Sequence, residues 1–206
     1  MLIFKRQHAN AGASSIIFYR KEISLHNSNT GIDKFGEPMM VPVYLSLGGN
    51  IGDTVAVLMR AAKEIAAIER VENVKLSRFY ETTPVSDIPQ RSYVNVVCRL
   101  WTALPLKKLA AYLWKIERRY GSKSRVKNVP RVLDVDILFF HSEYYHDDEF
   151  MIPHPRWKER LFVLAPLSDL AKKLYVPSKE GSLEEVDIID MLITFSNENG
   201  ERVKVI

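Results

Sequence analysis

Apolar residues recur along this chain at two periods, and the switches between them mark its elements. Val43–Leu47 is a short apolar run with strand character, and Gly48 to Asp53 reads as a turn. Residues 54–69 then carry Val55, Leu58, Ala62, Ile65 and Ile68 at helical spacing, with Asp53 placed to cap the helix. Residues 73–80 predict a second strand, and a loop broken by Pro84 and Pro89 follows. Ser92–Trp101 alternates cleanly: Val94, Val96, Cys98 and Leu100 face one way, Tyr93, Asn95, Val97 and Arg99 the other. Pro105 suits the first turn of a helix striped by Leu106, Leu109, Ala110, Leu113 and Ile116, and Gly121 suits its end. After a basic loop, 132–140 predicts a strand with Leu133, Val135, Ile137 and Phe139 opposite Asp134, Asp136, Leu138 and Phe140. A turn, a short helix or turn at 152–160 and the apolar LFVLAPL come next. The last part holds one periodic segment, Val186 to Phe195, and a terminal strand candidate. The order β-α-β-β-α-β predicts an α+β fold: a ferredoxin-like, mainly antiparallel sheet with helices packed on it as an α/β/α sandwich.

Composition narrows the function classes. Residues 1–40, rich in Asn, Gly and Ser, read as a partly disordered extension. Residues 41–177 read as the compact domain, with 178–206 as a tail packed on it. Lys and Arg number 29 against 25 Asp and Glu, a net +4. That excess is too small to demand nucleic acid but suits a small polyanion. The single cysteine excludes an intrachain disulfide framework and a cysteine-cluster metal site. No apolar run nears the ~18 residues of a membrane helix, and no signal peptide is recognisable. The expected location is the cytoplasm and the expected state a monomer, without nucleic acid or membrane partners.

Candidate chemistry concentrates on the third long strand. Asp134 and Asp136, two residues apart, place their carboxylates on one face with Cα atoms roughly 6.5–7 Å apart. Like charges so placed repel unless a cation lies between them, and Mg²⁺ takes one or two carboxylates together with phosphate oxygens. Just upstream, Lys123, Arg125, Lys127 and Arg131 supply phosphate-binding charge. Taken singly, each feature also fits a solvated strand face or an exposed basic loop. Tyr93 and Asn95 share a face beside Pro84 and Val85, an arrangement that suits a flat heterocycle or, more commonly, an amphipathic edge strand. Phe162 is either the opposite wall of such a pocket or core. Glu117 sits beside an apolar helical stripe, so its carboxylate is paired or functional. His154 lies between Pro153 and Pro155. The glycine turn lacks the spacing of an ATP-binding loop, so Gly48 and Gly49 are read as places of close backbone approach.

Together these segments resemble the 6-hydroxymethyl-7,8-dihydropterin pyrophosphokinase family over about residues 42–177. The matches are VYLSLGGNIGD, FYETTPV, the YVN of Tyr93–Asn95, the KIE of Lys115–Glu117, PRVLDVDILFF and IPHPRWKERLFVLAPL, in the family's order. The resemblance implies transfer of pyrophosphate from ATP to the pterin hydroxymethyl group, releasing AMP, within folate biosynthesis. It also implies two Mg²⁺ ions on Asp134 and Asp136. Arg131 would hold phosphates, and Glu117, His154 and Arg160 would lie at the nucleotide. Tyr93, Asn95, Phe162, Pro84 and Val85 would hold the pterin. Association with other folate-pathway enzymes is a further implication. This chain departs from the pattern at Gly49, where the family usually has Ser, and at Ser122, where it commonly has Arg. Its basic loop is one residue shorter, so either Lys123 or Arg125 takes the catalytic arginine's place. Two competing readings are a ferredoxin-like RNA-binding module and a catalytically inactive partner domain of a folate-pathway complex.

Overall fold

The computed structural model describes residues 39–82, 90–121, 129–199 and 203–206. Five strand segments make the central framework: β1 (Val41–Gly49), β2 (Val71–Leu76), β3 (Tyr80–Thr82), β4 (Tyr93–Thr102) and β5 (Asp134–Phe140). Their order is β3-β4-β1-β5, with β2 also pairing β4, and every pair is antiparallel. Taking β2 and β3 as one interrupted strand gives the ferredoxin-like order. The interruption corrects the single strand expected over 73–80. Register on β4 slips between Glu72 and Lys75, where Asn73 takes a positive φ of 51°. That is a bulge, and Asn tolerates its left-handed backbone.

Two helices cover one face: α1 (Thr54–Ala66) and α2 (Leu106–Arg119). The Asp53 side chain accepts the Ala56 N–H at 3.1 Å, so α1 starts where a capping carboxylate stands. Its buried stripe is rotated from the expected one: Val57 and Ala61 are buried, whereas Val55 is exposed. Gly121, with φ of 83°, follows the end of α2, a conformation that costs glycine little. Leu58, Ile65, Leu109, Leu113 and Ile116 pack there against Leu45, Leu47 and Leu100. The other face is covered by α3 (Leu161–Ser168), the hairpin β8–β9 (Lys173–Pro177 and Leu183–Asp187) and α4 (Ile188–Asn199). LFVLAPLS is apolar nearly all round, so α3 is buried on most sides, as such a helix must be. This second layer covers much of the sheet that an RNA-binding module would present, and argues against that reading. The periodic segment expected from Val186 begins instead at Ile188, because Val186 and Asp187 still belong to β9. The short strand β10 (Val203–Val205) pairs with β3. Between β5 and α3, β6 (Tyr145–His146) pairs with β7 (Met151–Ile152). Among the described residues no helix is long and apolar enough to cross a membrane.

One irregularity shapes the site. Along β5 the expected alternation breaks at Leu138. Tyr44 of β1 faces Phe139, while the next residue, Leu45, faces Ile137, so Leu138 is an extra residue. Beyond it the faces exchange. Phe140 joins Val135 and Ile137 in the core beneath α1 and α2, and Phe139 joins Leu138 on the other side. The face bearing the two aspartates therefore ends in an apolar wall of Leu138, Phe139 and Trp157.

Candidate active site

Three strands bring the polar residues into rows. In register, Gly48 of β1 lies between Asn95 of β4 and Asp134 of β5, and Ser46 lies between Val97 and Asp136. Residues paired this way point to the same side of the sheet. With strands about 4.8 Å apart, the Asn95 and Asp134 backbones stand roughly 10 Å apart over a glycine floor. A Cβ on Gly48 would come within 2.6 Å of Asn95 Oδ1, so only glycine leaves the carboxamide where it is. Asn95 Nδ2 donates to Thr82 Oγ1 at 2.9 Å in a buried bond that fixes the amide's direction.

The acidic row is enclosed by cations. An Arg131 guanidinium N–H donates to Asp134 Oδ1, and Arg160 Nη1 lies 3.4 Å from Asp136 Oδ2. Burial raises the Asp134 carboxyl above the usual range, and Asp136 adds to this against the opposing charge of Arg131. A site that penalises its own carboxylate favours a bound cation. Asp134 and Asp136 offer hard oxygen donors on one strand face, a set that fits Mg²⁺. No cluster of three or more metal-ligating side chains occurs among the described residues. The remaining ligands of such an ion would therefore be phosphate oxygens and water.

His154 is held from two sides. Its N–H donates to the carbonyl of the bulged Leu138 at 2.9 Å, and its Nδ1 accepts the Arg156 N–H at 3.1 Å. Burial and then the charge of Arg160 hold the imidazole down to about 4, so it is neutral at pH 7. Nε2 lies 3.8 Å from Asp136 Oδ2, too far for a hydrogen bond and no ion pair in the neutral ring. It also lies 3.3 Å from Arg160 Nη1, whose guanidinium can only donate, so N–H donors approach both ring nitrogens and the tautomer decides which of them accepts.

Behind Asp136 and His154 opens a cleft of about 280 Å³ between α2 and the outer edge of β5. Ala110, Leu113, Trp114, Phe150 and Ile152 line it, with the Trp114 and Phe150 rings edge to face at 5.9 Å. Glu117 of α2 accepts the Val135 N–H from β5 at 2.7 Å. Burial pushes its carboxyl up to about 7, and the charges of Asp134 and Asp136 push in the same direction.

Across the sheet, Tyr93 is half-buried, and its Oη lies 3.1 Å from Gln90 Oε1. Phe162 is partly buried against the second core, with the Arg160 guanidinium 5.4 Å from its ring centre. Arg131, Asp134, Asp136, His154 and Arg160 therefore gather at one place. Glu117 reaches the same strand from its far edge, and Tyr93 and Asn95 stand one strand beyond Gly48. Pro84, Val85, Lys123 and Arg125 lie outside the described residues. Sequence reasoning missed Thr82, Gln90, Trp114 and above all Asn50, whose carboxamide bonds toward both Arg131 and Gln90.

Comparison with known proteins shows the family of this chain. The family description 7,8-dihydro-6-hydroxymethylpterin-pyrophosphokinase (HPPK) matches residues 44–172. A 2-amino-4-hydroxy-6-hydroxymethyldihydropteridine pyrophosphokinase of Bacillus subtilis is 35% identical over 144 residues, covering 70% of this chain and 84% of that protein. The enzyme of the same name from Methylorubrum extorquens is 34% identical over 137 residues, covering 66% and 87%. The Bifunctional protein FolKE of Lactococcus lactis subsp. cremoris is 29% identical over 176 residues, and the match takes up 81% of this chain but 50% of that one. In fold, the chain is similar to Plasmodium falciparum HPPK-DHPS solved with pterin and p-hydroxybenzoate, with a TM-score of 0.56 at 14% identity, over 85% of this chain and 45% of that one. The Asp134–Asp136 strand, the Tyr93–Asn95 strand and Gly48 of β1 between them all fall inside the matched span, and the chain belongs to the 7,8-dihydro-6-hydroxymethylpterin-pyrophosphokinase family, the pyrophosphoryl-transferring enzymes of folate biosynthesis.

Proposed function

We propose that this chain performs the family reaction with the residues gathered here, moving the β,γ-pyrophosphoryl group of ATP onto the hydroxymethyl oxygen of 6-hydroxymethyl-7,8-dihydropterin. The row Asn95–Gly48–Asp134 carries the reading. It sets a heterocycle-binding amide and a metal-binding carboxylate on one face, with room between them for the reacting groups. The oxygen–phosphorus bond forms at the β-phosphorus as the bond from that phosphorus to the α–β bridging oxygen breaks; the hydroxyl proton is released to solvent and AMP leaves.

Each residue has a part in this. Asp134 and Asp136 would hold two Mg²⁺ ions, which supply charge neutralisation and Lewis acidity when bound. Arg131 and Arg160 flank the carboxylates and carry positive charge toward the phosphates. His154 stands at the mouth of the cleft, where it meets a phosphate oxygen of the nucleotide. The apolar cleft beside Trp114 takes the nucleoside. Glu117 fixes the edge of β5 and closes the nucleotide side. Tyr93 and Phe162 offer ring faces to the pterin, Asn95 reads its edge, and Pro84 and Val85 contribute from the preceding loop. Lys123 and Arg125 add phosphate-binding charge. The protein's work is positioning and electrostatic stabilisation, which is most of what phosphoryl transfer needs.

A coupled assay for AMP release, with and without the pterin, tests the reading. AMP should form in step with pterin diphosphate and only when Mg²⁺ is present. Binding of both substrates without AMP release would make the chain an inactive partner domain.

A further inference from the structure

Asn50 is 4% exposed and follows β1 directly. Its main-chain N–H donates to the Arg131 carbonyl at 2.9 Å, and its Oδ1 accepts the Arg131 N–H at 2.9 Å. One residue thus grips the peptide groups on both sides of Arg131, as a paired strand residue would. The other end of the same carboxamide turns toward β4. Nδ2 donates to Gln90 Oε1 at 3.2 Å and lies 3.4 Å from the Arg91 carbonyl. Gln90 Oε1 is also the acceptor for the Tyr93 hydroxyl at 3.1 Å. The carboxamide is planar and rigid, so fixing its oxygen fixes its nitrogen.

We infer that Asn50 is a positioning residue for both substrates: its oxygen sets Arg131 for the phosphates, and its nitrogen, through Gln90, sets Tyr93 for the pterin. This rests on the functional reading above. The two roles use different atoms, so different substitutions separate them. Asn50→Ala removes both and leaves the half-buried Arg131 N–H without the Asn50 acceptor. Asn50→Asp keeps an acceptor for Arg131 but turns an oxygen toward Gln90 Oε1 and the Arg91 carbonyl. Gln90→Met keeps the grip on Arg131 and takes away the acceptor that Asn50 and Tyr93 share.

The test is calorimetric titration of each folded variant with Mg²⁺ plus α,β-methylene-ATP, and separately with 6-hydroxymethyl-7,8-dihydropterin in the presence of that analogue. Thermal midpoints are recorded alongside. Asn50→Ala should weaken both ligands by about tenfold or more. Asn50→Asp should restore nucleotide affinity to within about threefold of the parent but leave pterin affinity low. Gln90→Met should weaken the pterin alone. A general loss of packing would instead lower both affinities together in all three variants, in step with the midpoint. That pattern, or an Asn50→Asp as impaired for nucleotide as Asn50→Ala, overturns the inference. If Asn50→Ala does not fold, the contrast between Asn50→Asp and Gln90→Met still decides. If the parent protein binds neither ligand, the functional reading itself fails.

Discussion

The Glu117 carboxylate accepts the Val135 N–H at 2.7 Å, so a side chain from α2 completes the open edge of the strand that carries both aspartates. Among the described residues β5 ends the sheet, and its outward N–H groups have no strand to meet. The same bond draws a third carboxylate toward Asp134 and Asp136, which is why burial and their charges hold Glu117 at about 7.

That shift has a sign in stability. The unfolded chain ionises Glu117 near pH 4.3, the metal-free folded protein only near 7. Between those values the folded state binds more protons, so this group's contribution to stability is full below about pH 4.3 and is lost as pH rises through 7. Glu117→Gln keeps an acceptor for the Val135 N–H and removes the titration. In urea denaturation with EDTA, the variant should gain on the parent between pH 5 and pH 8. Parallel curves across that range would show that the shift does not reach the folding equilibrium.

Asp134→Asn and Asp136→Asn test the metal. Each relieves repulsion between neighbouring carboxylates and opens no cavity, so the metal-free thermal midpoint should hold or rise slightly. Turnover should fall by about 10²–10³, since charge stabilisation of the transferring group depends on ions held in place. Activity near the parent's at saturating Mg²⁺ in both variants would remove these residues from the metal site.

Asn95→Ala and Thr82→Val probe the heterocycle side. Asn95 is 5% exposed and its amide is aimed by Thr82. Losing the amide should cost pterin affinity about 1–3 kcal/mol and leave ATP affinity nearly unchanged. Thr82→Val should show the same selectivity more weakly, because the amide stays but is free to turn. Equal losses for both ligands, measured by separate titrations, would make Asn95 a structural residue.

Local pattern reveals some of this chain and misses what depends on partners far away in sequence. The Asp134–Asp136 face follows from a period of two, and the helices from stripes such as Leu109, Leu113 and Ile116. The exchange of faces at Leu138 does not, because a bulge is a property of the pairing with β1, not of β5 alone. Val55 was misplaced because a stripe of four or five positions tolerates a rotation that only contact with α2 and the sheet decides. Asn50 looked like a turn residue, since its partner Arg131 lies 81 residues on. Glu117 stood out in the sequence as a misplaced charge, and the edge of β5 is the reason it is tolerated.

The two adjacent glycines that end β1, expected from the sequence to lie in a turn, should fail in different ways when replaced. A Cβ on Gly49 would sit 2.4 Å from the Val132 carbonyl oxygen and 3.2 Å from that of Arg131. Both are main-chain atoms, so the segment entering β5 must move, and it carries Arg131 and Asp134 with it. A Cβ on Gly48 meets a side-chain atom instead, Asn95 Oδ1 at 2.6 Å, and the amide can rotate away. Gly49→Ala should therefore destabilise the fold by about 1–3 kcal/mol, the usual cost of overpacking. Displacing the phosphate-binding groups by ~1 Å should also lower turnover by roughly 10². Gly48→Ala should leave stability closer to the parent's and nucleotide affinity intact, and weaken the pterin by displacing Asn95 from its bond to Thr82. Urea midpoints, separate ligand titrations and turnover numbers on the pair distinguish these outcomes. If Gly48→Ala harms nucleotide binding as much as pterin binding, or Gly49→Ala leaves turnover intact, the end of β1 does not divide its contacts between the two substrates in this way.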